Sequence, residues 1–201
     1  MNNFSKIALC ALIVGGSALI TSCSDDDDDP IVVPTPTPSL YDRLGGTTLV
    51  SDPAHPGQMI EHGRLSYRSV VDSTITLIVA DIQSAAPGNL GAHFAPLVGE
   101  VVGGNATNVG VLSDNLTDFF SYNTGGTNAV NTYGGRDMVS AHNPAINSRM
   151  GVKATDANYT KFEGYVGAAA QLNGVSSTSQ EYMDVVAVLE SLRSPIVQDP
   201  N

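Results

Sequence analysis

The sequence predicts an all-α domain. Apolar residues recur at helical spacing in several separate runs, glycines and prolines punctuate the gaps between them, and no strand-like alternation persists. Ser39 to Gly46 (SLYDRLGG) opens on a capping residue and closes on a glycine pair, which predicts one short helix. Val70 to Ile82 is a stronger run, with Val71, Thr74, Ile75 and Ile78 on one face and Pro87-Gly88 as the break after it. Val111 to Tyr122 places Leu112, Leu116, Phe119 and Phe120 at i, i+4, i+7 and i+8 before Gly125-Gly126. Asp156 to Leu172 carries Tyr159, Phe162, Val166, Ala169 and Leu172. Ser179 to Arg193 carries Met183, Val186, Leu189 and Leu192, with Pro195 beyond it. Thr155 and Ser176 are the caps expected for these last two helices. Between Thr47 and Ser69 the pattern is punctuated by Pro53 and Pro56-Gly57, and Met59 to Tyr67 reads as a short helix. Ala95 to Asn108 is rich in glycine and valine and shows no assignable period.

The chain divides into three parts: 1–22, 23–38 and 39–198. Residues 1–22 have the layout of a secretion signal: Lys6, an apolar stretch from Ile7 to Ile20, then small residues ending at Ser22. The apolar stretch, 14 residues long, is too short for a membrane-spanning stop-transfer helix. Ile20-Thr21-Ser22-Cys23 resembles the bacterial lipobox, which implies cleavage before Cys23 and lipidation of its thiol; the alternative is an ordinary signal peptide with an incidental cysteine. The run Asp25 to Asp29 resembles the surface-export signals of some Gram-negative lipoproteins, the alternative being a flexible acidic tether. Pro30 to Pro38 (PIVVPTPTP) reads as a stiff polyproline-type spacer. The expected location is therefore the outer membrane, by a lipid anchor and with possible exposure at the cell surface.

Composition narrows the function. The formal charge is −11, and losing Lys6 with the leader makes it −12, which argues against nucleic-acid binding because phosphate contacts need clustered Lys and Arg. Tryptophan is absent and aromatic content is 6%, so the core must be mostly aliphatic. Of the two cysteines, Cys10 lies within the leader, so no intrachain disulfide survives processing and the fold must stand on packing alone.

Leu40-Tyr41-Asp42-Arg43-Leu44-Gly45-Gly46 is similar to the opening of the group I truncated haemoglobins. The similarity continues in order through Val70-Val71-Asp72, Ala80-Asp81, Phe119-Phe120, Gly125-Gly126, Tyr133-Gly134-Gly135-Arg136-Asp137-Met138, Ala141-His142, Gly151-Val152, and Leu189, Leu192, Arg193 and Ile196. It spans Ser39 to about Val197, with extra residues before Val70, between Phe94 and Leu112, and between His142 and Gly151. This resemblance implies a truncated globin-like helical sandwich with extended loops and insertions, holding a non-covalent haem b. His142 would be the proximal ligand of the iron, with Met138 one helical turn before it. Phe94 aligns with the phenylalanine that packs on the haem face, and Phe120 with a further pocket position. Ile75, Leu112 and Leu116 fall at the distal positions, where the family commonly has a tyrosine and a glutamine, so the wall facing a bound gas is apolar here. Asn115 is the neighbouring donor. His93 is expected to face solvent, and His55 and His62, seven apart, lack the further ligands of a metal site.

These residues imply a globin of the cell envelope that binds a diatomic gas, oxygen or nitric oxide. A haem-capture or haem-transfer lipoprotein and a haem-free globin-fold interaction module are the alternatives. A haem-dependent dioxygenase or peroxidase would need polar distal groups and an electron donor that the sequence does not identify, so enzymatic activity stays open. No nucleophile triad, phosphate loop or covalent haem-attachment motif is present.

Overall fold

The computed structural model describes residues 36–199. The leader, Cys23, the aspartate run and most of the proline-rich spacer lie outside the described residues. The domain is mainly helical, with one small two-stranded sheet.

The first helix, α1 (Leu40–Arg43), forms because Ser39 and Asp42 cap each other reciprocally: the Ser39 hydroxyl accepts from the Asp42 amide at 3.1 Å and the Asp42 carboxylate accepts from the Ser39 amide at 3.2 Å. Gly45, at φ +116°, turns the chain where a Cβ would collide with the His62 ring. Two short strands come next, β1 (Leu49–Ser51) and β2 (Met59–Glu61), paired antiparallel with Val50 opposite Ile60. The helix expected from Met59 to Tyr67 is therefore split: its first three residues pair as a strand. From His62 onward the chain joins the Val70–Ile82 run in one long helix, α2 (His62–Gln83). Strands of three residues are too short for alternation to show in the sequence.

Along α2, Gly63, Tyr67, Val71, Thr74 and Ile78 form the buried stripe, at the spacing that places side chains on one face of a helix. This helix packs against both α4 (Thr107–Ser121) and α6 (Asp156–Leu172). Between α2 and α4 in the chain lies α3 (Ala95–Val102), the part of the glycine- and valine-rich segment without a readable period. It starts with Pro96 in its first turn and ends at Gly103-Gly104. The α4 helix runs on into a wider π-type turn, Tyr122–Gly126. The remaining helices are α5 (Met138–His142) and α7 (Gln180–Ile196), which pack together, with α6 also against α7.

The α6 boundaries are those the sequence predicts, and Thr155 caps it through the Asn158 amide at 3.1 Å. In contrast, Ser179 rather than Ser176 caps α7, while the Ser176 hydroxyl pairs with Thr178. Pro195 sits inside the last turn of α7 instead of beyond it.

The main core joins Tyr41, Tyr67, Val71, Phe120, Val166 and Leu189. Tyr41, Tyr67 and Phe120 stack in series, with centroids 6.4 and 5.8 Å apart. A buried polar cluster closes one end. Tyr41 donates its hydroxyl to Glu61 at 2.5 Å, and the Asn131 side chain donates to Glu61, Tyr41 and the Gly126 carbonyl. Burial raises the Glu61 pKa, but the hydrogen bonds from Tyr41, Asn128 and Asn131 and the charge of Arg64 outweigh it and hold the carboxyl below its usual range. Among the described residues, no helix is long and apolar enough to cross a membrane.

Candidate functional site

The candidate site is built around α5. Asp137 caps this helix by accepting from the Ser140 amide at 2.9 Å, which orders the single turn that sets Met138 and His142 one above the other. The His142 Nδ1 lies 2.9 Å from the Met138 carbonyl. A carbonyl oxygen only accepts, so Nδ1 carries the proton. Burial pushes the His142 pKa down, with the Met138 carbonyl opposing, which favours the neutral ring, whose Nε2 then carries a free lone pair. Asn147 braces the segment after α5, donating to the Ala141 carbonyl at 2.6 Å.

His142 lines a cavity of about 430 Å³ between α4, α5, α6, α7 and the Leu90–Phe94 turn. Phe94, Leu112, Leu116, Phe120 and Met138 line it too, so six of the seven pocket residues expected from the sequence are brought together. Leu112 and Leu116 are half-buried because they face this space, whereas Phe120 is buried in the core. The seventh, Ile75, stands elsewhere. It lines an adjoining apolar cavity of about 250 Å³ with Ile78, Val79 and Leu97, and Phe94 and Leu112 are common to both cavities. Of the three residues expected on the distal side, Leu112 and Leu116 share the His142 cavity and Ile75 does not. Asn115 and Asn158 are among the polar residues on the lining. Tyr133 also lines it, with its hydroxyl donated to the Arg136 carbonyl at 2.9 Å and its ring edge-on to Phe119.

His93, expected at the surface, is 6% exposed and lines the same cavity. Its ring lies 6.0 Å from that of His142, with 14° between the planes, and sits edge-on to Phe94 at 5.0 Å. Its Nδ1 donates to the Val152 carbonyl at 2.9 Å, and burial again pushes the pKa down. The Gly151 amide donates to the His93 carbonyl at 2.8 Å, and this approach requires glycine, because a Cβ there would lie 2.1 Å from the Ala92 carbonyl oxygen. The only sequence signal for His93 is its position beside Phe94.

The other two histidines stand apart. His55 pairs with Asp52 at 3.0 Å on the hairpin loop. His62 lines a larger cavity, about 550 Å³, between α2, α6 and α7. The carboxylates Glu163 and Glu190 on that lining pair with Arg193, whereas the smaller cavity brings two histidines, His93 and His142, onto one lining and is the better candidate for chemistry. Among the described residues, no group of three or more His, Cys, Asp or Glu side chains is placed to hold a metal ion. A search of known family models and of curated proteins finds no match to the chain.

Proposed function

We propose that the domain is a truncated-globin-like haem-binding module, tethered to the cell envelope through Cys23, that takes up a diatomic gas at a b-type haem. The observation that carries this reading is the placement of His142: an imidazole on a capped helical turn, its Nδ1–H on a backbone carbonyl, lining a largely apolar cavity. That is the arrangement a ligating histidine needs, because the hydrogen bond at one nitrogen fixes the ring and frees the other as a donor to iron.

The cavity lining supports this reading. The cavity's volume of about 430 Å³ lies within the range of small-molecule and cofactor sites, and its walls are mostly aromatic and aliphatic, with a few polar groups among them. Arg136 stands on the exposed side of the lining, where a guanidinium would meet an acidic periphery of the cofactor. When bound, a haem supplies an iron centre open to oxygen or nitric oxide. His142 would hold the iron, Phe94 and Phe120 would exclude water, and Leu112 and Leu116 would present no hydrogen-bond donor to a gas. An apolar wall of this kind favours ligands that bind without a donor.

Haemin titration of the full chain tests the proposal through the Soret band. Uptake of one equivalent that depends on His142 is expected, and no uptake would overturn it.

A further inference from the structure

We propose that His93 and His142, with the thioethers of Met138 and Met150, form a binding site for monovalent copper when the cavity holds no haem. The proposal stands apart from the haem reading, since both ligands would compete for His142.

Four observations converge. Each imidazole has its Nδ1–H on a backbone carbonyl, Met138 for His142 and Val152 for His93, so each leaves Nε2 free, as ligating histidines do. The rings are already close. Two nitrogens holding one ion at about 2.0–2.1 Å keep their ring centroids within roughly 6.4 Å; these centroids are 6.0 Å apart with 14° between the planes, so one ion reaches both when their Nε2 edges turn toward it. Each histidine is also accompanied by a sulfur. Met138 precedes His142 by one turn of α5, and Met150 directly precedes Gly151 and Val152, the two residues whose backbones bind His93. All four residues line one cavity.

The lining also selects the ion. Among the described residues no carboxylate lines the cavity, and a guanidinium, Arg136, does. A divalent hard ion would bring two uncompensated charges into apolar surroundings. Monovalent copper brings one, and it favours imidazole and thioether ligands.

The test uses the full chain with Cys10 and Cys23 changed to Ser in every arm, so that thiols take no copper. Under anaerobic conditions the protein is titrated against monovalent copper held by the coloured chelator bathocuproine disulfonate. The parent is expected to withdraw one copper per chain. His93→Ala and His142→Ala should each weaken capture at least tenfold, with helicity checked by circular dichroism, while His62→Ala leaves it unchanged. The volume-conserving pair Met138→Leu and Met150→Leu should weaken capture without disturbing the fold. X-ray absorption should report two imidazole nitrogens and sulfur around the copper. Absence of capture by the parent, or undiminished capture in either cavity-histidine variant or in the methionine pair, would overturn the site. Haemin titration of the same preparation separates the two readings: copper capture without a Soret band sinks the haem reading alone, and a Soret band without copper capture sinks this one alone.

Discussion

Replacing Asn131 with Ala should be among the most destabilising single changes outside the apolar core. Asn131 is fully buried. Its amide donates to the Glu61 carboxylate at 2.7 Å, the Tyr41 hydroxyl at 2.9 Å and the Gly126 carbonyl at 3.0 Å, and its oxygen accepts from Arg64 at 3.1 Å. Truncation removes a hydrogen bond to a charged group, a loss of about 1.5–3 kcal/mol. It also strips the buried Gly126 carbonyl of this donor, at a further cost of about 1–3 kcal/mol. Glu61 keeps Tyr41 and Asn128, which limits the total to about 3–5 kcal/mol. With a urea slope near 2 kcal/mol per molar, the midpoint followed by far-ultraviolet circular dichroism should fall by roughly 1.5–2.5 M. A loss below about 1 kcal/mol at unchanged slope would refute the view that this cluster ties α1, the hairpin and the loop after α4 together.

The same cluster sets a pH dependence. Glu61 has its pKa held low in the folded state, so its stabilisation is complete above the unfolded carboxylate value and lost as pH falls through the folded one. Glu61→Gln should therefore narrow its stability gap to the parent as the pH is lowered, and a gap constant with pH would contradict this. Thr155→Ala removes the α6 capping box and should cost about 1 kcal/mol in chemical denaturation. Phe120→Ala removes a ring that is 8% exposed and stacked on Tyr67, and should cost about 3–5 kcal/mol by the same assay; a cost below about 1 kcal/mol would mean that α4 does not face the core. Cys23→Ala should release the protein from the membrane fraction and abolish lipid labelling, and unchanged partitioning would remove the lipid-anchor proposal.

Helices with a complete cap and a long apolar stripe were the legible part of the fold. The bounds of α6 follow from Thr155, Asn158 and the stripe through Val166 and Ala169. The cap of α7 is ambiguous in sequence because Ser176, Ser177, Thr178 and Ser179 all have the side chain for it, and only the path of the chain decides. The hairpin escaped notice because its register rests on backbone pairing across three residues. At the site, spacing and resemblance together gathered His142, Met138, Phe94, Leu112, Leu116 and Phe120 into one group, and they line one cavity. Periodicity places Ile75 on an inward face of α2, but which neighbour that face meets depends on where α3 lies, and α3 has no readable pattern. His93 was illegible for a similar reason. The carbonyl that holds its ring belongs to Val152, 59 residues later, and local polarity does not encode a contact at that distance.

The most direct measurement of the central proposal is a haemin titration of the parent chain and of His142→Ala, followed by the Soret band with and without added imidazole. The parent should take up one equivalent with a sharp band. The variant should lose the band or show it grossly altered, and imidazole entering the vacated space should restore it in part. A parent that takes up no haemin, or a His142→Ala band identical to the parent's, would contradict the assignment of His142 as the ligand of a haem in this cavity.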